Sequence, residues 1–236
     1  MTQAIDRRET FALAAAAAGF AALSGASGGA AGAEAKQGTP MTYATKPMPF
    51  NPEGVNGLSA KLLTSHYDNN YAGAVKRLNA ITAALHGIDW ATAQNFTVNG
   101  LKREELFAMN SMILHELYFA SLGGTSGPDR ALTQALEKDF ANLDAWRNEF
   151  AAMGKALGGG SGWVLLCYVP RDKRLVNGWA ADHTMTPAGA TPILALDMYE
   201  HAYHMDYGAK AGAYVDAFMK AINWSNAAAL YQSAAK

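Results

Sequence analysis

The chain has one cysteine, Cys167, in 236 residues, so no intramolecular disulfide can form; stability must come from burial, a metal or a second subunit. Charge is also sparse: 17% of the residues are Asp, Glu, Lys or Arg, with 19 basic against 20 acidic, a net charge of −1. That balance gives no basic footprint for a nucleic acid or an anionic membrane surface. No phosphate loop is present either. Gly158-Gly159-Gly160-Ser161-Gly162 lacks both the Lys-Ser/Thr ending and the GxGxxG spacing, and reads as a flexible way into a strand. Histidine is rare enough, six residues in all, that the position of each one carries information.

The N-terminal segment reads as targeting rather than fold. Arg7-Arg8 precede Phe11 and a weakly apolar, alanine-rich run to about Leu23, with Ala31-Gly32-Ala33 or Ala33-Glu34-Ala35 as cleavage candidates. This resembles a bacterial twin-arginine signal and predicts export to the periplasm. The apolar run is shorter than the ~20 residues that span a bilayer, so stable membrane insertion is not expected. Removing residues 1–35 leaves roughly 200, enough for one sizeable domain or two small ones sharing an interface. Because that route carries folded proteins, a metal loaded before export is worth seeking. Lys36 to about Asn56 holds four of the eight prolines and reads as an extended, mobile lead-in.

Helical periodicity then begins. Leu58, Leu62, His66, Asn70 and Ala74 fall four apart, and the pattern predicts a helix from about Ser59 to Leu85 with one buried face. A second helix is predicted from about Lys102 to Leu122, ended by Gly123-Gly124, with Ala108, Met112, His115, Phe119 and Leu122 as its stripe. A connection of about fifteen residues would make the pair an antiparallel hairpin, 57–124. Each helix carries one imidazole in an apolar stripe. Alone, either is an ordinary core histidine; facing each other, they are a candidate site.

The remainder, 125–236, reads as an α/β part. Helices are predicted at about Ala131 to Phe140 and Leu143 to Leu157, and again from Ala211 to Ile222, with Tyr214, Phe218 and Ile222 as its apolar stripe. Between them lie three strands, Trp163 to Val169, Arg174 to Trp179 and Pro192 to Leu196. The fold class is therefore α+β: an N-terminal antiparallel helical hairpin, then an α/β part with a three-stranded antiparallel sheet. The last strand delivers Asp197, and His201 follows four residues later. A helical turn there would set both on one face, as metal ligands or as a cap beside a core histidine.

Asp197-Met198-Tyr199-Glu200-His201-Ala202-Tyr203 resembles the D-x-W-E-H-A-Y signature of the iron/manganese superoxide dismutases. The likeness extends to His66-Tyr67, His115-Glu116-Leu117-Tyr118-Phe119, Gly160-Ser161-Gly162-Trp163 and Ile222-Asn223-Trp224, covering roughly Met48 to Trp224. It implies one iron or manganese ion per subunit, held by His66, His115, Asp197 and His201, with a water or hydroxide as fifth ligand. Three imidazoles and one carboxylate suit either metal. The implied reaction is disproportionation of superoxide to dioxygen and hydrogen peroxide. The resemblance also places Trp163, Tyr199 and, by way of Asp182-His183, the imidazole of His183 around the metal. His183 would hydrogen-bond the bound solvent, since Ser111 stands where iron-type members place a glutamine. Glu200 implies a homodimer, pairing across the interface with the partner's histidine ligand.

Several positions depart from the family pattern. A tyrosine eight residues after the first ligand is Ala74, a histidine four after it is Asn70, the signature tryptophan is Tyr199, and a tyrosine three past the last ligand is His204. Phe119 replaces another common tryptophan. The change at Ala74 removes a hydroxyl implied in proton delivery and product release. Asn70 and His204 could exchange roles in the cross-subunit bond the family makes there. His86 alone has only a helix-end role. The same residues would also serve a metal-holding member of the fold with lost or altered activity, or an exported metal-binding module.

Overall fold

In a computed structural model, residues 38–236 are described and fold into one compact unit. The predicted signal segment lies outside the described residues. The expected α+β fold is present, helices first and a three-stranded antiparallel sheet after them.

The first long helix is interrupted at the point where chemistry was predicted. Helix α1, Ala60–Ser65, is capped by the Ser59 hydroxyl, which accepts from Leu62 N at 3.1 Å. It runs into a π-helical turn, His66–Tyr71, in which the Ala72 N–H reaches back to Tyr67 O, and continues as α2, Ala72–His86. Within the wider turn Tyr71, which flanks the four-residue line, is buried, and Asn70, which lies on that line, is half-buried; beyond the turn Ala74 is buried as the line expects. π turns of this kind concentrate at functional sites because the extra residue re-aims side chains without ending the helix.

Helix α3, Asn95–Ala120, is longer than predicted, and the connection to it, 87–94, is correspondingly shorter. Its first turns carry no buried stripe; Phe96 is 77% exposed, so periodicity gave no signal there. Helices α2 and α3 pack side by side as a hairpin. The lead-in, expected to be mobile, is pinned across them. Tyr43 and the Asn79 side-chain amide exchange two hydrogen bonds, 2.8 and 2.9 Å, and Lys46 N donates to Tyr71 Oη at 2.7 Å.

Helices α4, Arg130–Phe140, and α5, Leu143–Ala156, lead into the sheet of β1, Trp163–Val169, β2, Arg174–Ala180, and β3, Thr191–Asp197. Strand β1 is central and almost wholly buried, which explains its unbroken apolar run. In register it sets Trp163 opposite Asp197, the last residue of β3. A 3-10 turn, Glu200–Ala202, the short α6, His204–Tyr207, and α7, Ala211–Ala221, follow. A final helix, α8, Trp224–Ala234, had no counterpart in the sequence reading; the Asn223 side chain caps it, and it packs on β3. The hairpin is fastened to this end by Asn223 N donating to Ser121 O at 2.7 Å.

Gly162 opens β1 with φ +131°, and a Cβ there would lie 2.1 Å from Ala180 O, a backbone atom that cannot swing away. Its carbonyl accepts from Met198 N at 2.9 Å, tying the start of β1 to the residue after Asp197. Gly162→Ala is expected to destabilise the protein by roughly 2–4 kcal/mol. Gly54→Ala, where a Cβ meets nothing within 4 Å, serves as control and should unfold within a degree or so of the parent in a circular-dichroism melt.

Candidate metal centre

Four elements each bring one donor to the same buried point. His66 opens the π turn, His115 sits in the last turns of α3, Asp197 ends β3 and His201 lies in the 3-10 turn. One donor atom from each residue lies within 4.8 Å of all the others. Asp197 Oδ2 is the hub, 3.2 Å from His66 Nε2, 3.2 Å from His201 Nε2 and 3.6 Å from His115 Nε2. The expected turn after β3 does put His201 beside Asp197, but through a 3-10 turn rather than an α-helix.

The surrounding atoms fix which way these groups point. His115 Nδ1 donates to Ser111 O at 2.6 Å, which leaves the lone pair on Nε2. Asp197 Oδ1 accepts from Tyr199 N at 2.8 Å, leaving Oδ2 for the cluster. Its backbone carbonyl accepts from the Tyr214 hydroxyl at 2.7 Å, a support that the sequence reading missed by counting Tyr214 only as a member of an apolar stripe. The His66 ring is packed among Tyr118, Phe119, His115 and His201, with centroids 4.7 to 5.2 Å away.

This packing leaves buried polar atoms without partners. Neither nitrogen of His66 has a hydrogen-bond partner, nor has His115 Nε2. Orphaned buried nitrogens cost on the order of 1–3 kcal/mol each, so their convergence on a carboxylate needs a ligand to explain it. A cation satisfies His66 Nε2 and His115 Nε2 and balances the carboxylate. The donor set therefore fits a transition-metal ion on chemical grounds.

Electrostatics agree. Burial alone would raise the Asp197 carboxyl, but His201 and His66 overcome it and hold Asp197 ionised below the usual carboxylate range. Burial lowers His115 to about 3, with help from His66, and lowers His66 as well. The His66 and His115 imidazoles are thus neutral, in the form that can bind a metal.

A second set of side chains surrounds the first. Trp163 Nε1 donates to His183 Nδ1 at 2.9 Å, and Asn110 Nδ2 holds the His183 carbonyl at 2.6 Å. The Tyr199 ring stacks on His183 on one face, centroids 4.8 Å apart, and on His201 on the other, 5.3 Å apart. Trp163 meets the edge of His115 at 5.3 Å. All three residues expected around the metal, His183, Trp163 and Tyr199, are therefore in contact with its donors or with one another. Ser111 is buried beside His115 and Ala74 is buried on α2, while Glu200 and His204 are exposed.

The chain is similar over residues 128–230 to the family model of iron/manganese superoxide dismutases, C-terminal domain. It is 64% identical to Superoxide dismutase [Fe] of Cupriavidus metallidurans over 196 residues, covering 83% of this chain and 100% of that protein. The chain belongs to the iron/manganese superoxide dismutases. Superoxide dismutase [Fe] of Aquifex pyrophilus is 37% identical over 183 residues, 74% of this chain and 84% of that one. Superoxide dismutase [Mn] 2 of Haloferax volcanii is 32% identical over 206 residues, 82% and 98% of the two chains.

Acid should act on the metal-free protein through these imidazoles. His115 and His183 bind their protons near 3 and 4 in the folded chain but near 6.5 when unfolded, so the unfolded chain holds more protons between those values and stability falls with pH. Asp197, depressed below 3.8, adds a further loss beneath that window. The unfolding free energy of metal-free protein, from urea titrations, should drop from pH 7 to pH 5 by up to about 1.4 kcal/mol per pH unit for each buried imidazole, and the urea midpoint should fall with it. Equal midpoints would contradict a cluster held neutral by burial.

Proposed function

We propose that the protein is a superoxide dismutase, disproportionating superoxide to dioxygen and hydrogen peroxide at a single iron or manganese ion held by His66, His115, Asp197 and His201. The observation that carries this is the convergence of two partnerless buried nitrogens, His66 Nε2 and His115 Nε2, together with His201 Nε2, on Asp197 Oδ2 in a chain of this family. Of the two metals, iron is favoured by the name of the relative at 64% identity.

The ion, when bound, supplies the one-electron chemistry by alternating between trivalent and divalent forms, oxidising one superoxide and reducing the next. The residues do the rest. Asp197 brings the only negative charge among the four donors, and the three imidazoles bind without adding any. Trp163 can only donate, so its bond to His183 Nδ1 makes that nitrogen an acceptor and leaves the His183 proton on Nε2. Burial lowers the His183 imidazole to about 4, which keeps it neutral, so it can present a proton donor without adding a positive charge beside the metal. Tyr199 and Phe107 hold the ring, one stacked and one edge-on at 4.5 Å, so that orientation is set before substrate arrives.

Two further readings belong here. Export by the twin-arginine route is supported by Arg7-Arg8 ahead of an apolar, alanine-rich run, which would place the activity in the periplasm against superoxide formed outside the cytoplasm. Among the described residues, no helix is long and apolar enough to cross a membrane. A homodimer is supported by Glu200, an exposed carboxylate with no ion pair or hydrogen bond among the described residues although its neighbour is a donor of the cluster.

Purified protein should hold about one iron or manganese per chain by elemental analysis and remove superoxide catalytically. His66→Ala should abolish both, and His183→Leu should keep the metal while slowing removal by roughly 10²-fold. Metal at full occupancy with negligible superoxide removal would instead favour a metal-holding member of the fold without turnover. Glu200→Ala is expected to weaken the dimer and the metal affinity together, read by analytical ultracentrifugation and chelator competition; an unchanged dimer with unchanged affinity would remove the Glu200 bridge.

A further inference from the structure

Helices α5 and α7 pack against each other in opposite directions. A Cβ on Gly154 would press on Val215 and one on Gly158 would meet Ala211 at 3.1 Å, so a step forward on one helix is a step back on the other. From Lys155 toward the start of α5, their seam opens into a cleft of about 680 Å³, a size typical of small-molecule sites. The loop after α3, Thr125 to Gly127, closes one end and is held there by Gly124 N donating to Ala221 O at 3.2 Å. Met219 and Trp224 give the cleft an apolar side. No residue of its lining is a donor of the metal cluster or one of the side chains around it.

The two ends of the cleft differ in charge. At one end Lys155 and Asp216 cross it as an ion pair, 2.8 Å apart, and cancel. Arg147 lies two turns before Lys155 on α5, roughly 12 Å along the axis, and the opposed packing sets it level with the end of α7, where Lys220 stands. Thr125 and Ser126 bring hydroxyls to this second end, and no carboxylate lines it. Neither Arg147 nor Lys220 has an ion pair or hydrogen bond among the described residues, neither with Asp144 a turn before Arg147 nor with Asp216 a turn before Lys220. The other nearby acids are engaged elsewhere: Glu149 accepts from Asn177 on β2 at 2.9 Å, and Asp129 accepts from Leu132 N and from the Gln232 amide. Two cations are thus left facing one another without a counter-charge.

We propose that this cleft binds a phosphate monoester of a sugar or nucleoside, with the phosphate between Arg147 and Lys220 and the uncharged part running toward Lys155 and Asp216. Each end selects one half of that ligand. A guanidinium presents a planar fork of donors to two phosphate oxygens, and an ammonium adds a point charge for the third. The hydroxyls of Thr125 and Ser126 and the Asn148 amide supply further donors on the same side. At the far end the ion pair offers a donor and an acceptor side by side, which suits hydroxyl groups and disfavours a second charge. Inorganic phosphate would leave most of the volume empty, and a longer polyanion would meet Asp216. Two unpaired cations in a chain of net charge −1 are too small a footprint for a nucleic acid.

Isothermal titration of the full-length protein at low ionic strength tests this, with glucose 6-phosphate, AMP, glucose and inorganic phosphate as probes. At least one of the two monoesters should bind once per chain and more tightly than inorganic phosphate, and glucose should not bind. Arg147→Gln and Lys220→Gln should each weaken monoester binding roughly 10-fold or more, the effect of losing one charge-assisted hydrogen bond. Arg147→Lys should weaken it less than Arg147→Gln. Arg171→Gln removes the same charge from the exposed turn between β1 and β2 and should change nothing. Arg147 and Lys220 are exposed, so their variants should melt with the parent by circular dichroism, which separates a lost site from a lost fold. Inorganic phosphate binding as tightly as both monoesters would overturn the monoester assignment in favour of a bare-anion site. No binding of any probe, or an equal loss in Arg171→Gln, would overturn the site altogether. Superoxide takes no part in these titrations, so their outcome is independent of the dismutase reading.

Discussion

Asp197 Oδ2 is the point on which the structure depends. A fully buried carboxylate is tolerated only with compensating charge or several donors, and here its neighbours are three imidazoles, two of which, His66 and His115, burial keeps neutral. Neutral imidazoles have at most one proton each to give, and that of His115 is already committed to the Ser111 carbonyl. The cluster is therefore short of positive charge and rich in lone pairs. Four separate elements converge on it, from the π turn to the 3-10 turn after β3, so a cation bound there would join the hairpin to the sheet part and add its binding energy to their docking.

The sheet register extends the same logic outward. Pairing Trp163 with Asp197 across β1 and β3 means that the strand bearing the carboxylate also positions the indole that fixes His183. Gly162 makes this possible by taking a conformation closed to other residues just before Trp163. Tyr199, two residues beyond Asp197, then fills the space between His183 and His201 with its ring. The supporting side chains are as tightly determined as the donors, because a shift of any one of these rings displaces the next.

Much of this was legible in the sequence. The strands could be bounded to within a residue because β1 is buried on both faces and reads as a solid apolar run, and the antiparallel hairpin followed from two stripes each carrying a histidine. His66 and His115 stand out because histidine is rare and each lies in an apolar stripe, and Asp197 and His201 because they are four residues apart after a strand; joining them into one ligand set rests on the family resemblance. What stayed hidden has physical reasons. The π turn cannot be read from a four-residue spacing, so Asn70 stands on the expected line although Tyr71 beside it is the buried residue. The first turns of α3 are exposed on all sides and carry no period. The lead-in was taken for mobile because proline and the absence of a stripe say nothing about the hydrogen bonds that Asn79 and Tyr71 offer it. Tyr214 was read by its ring, yet its hydroxyl holds the Asp197 backbone.

Two departures from the family pattern change the packing beside the cluster, both at buried positions. An alanine at position 74 and a serine at position 111 leave room where larger polar side chains are usual in the family. Room alone would admit water and any small solute equally. What that room changes is limited by His183: burial comes first among the causes that keep its imidazole neutral, and the Trp163 indole holds its proton on the other ring nitrogen, so the donor keeps its orientation whether or not a tyrosine hydroxyl stands nearby.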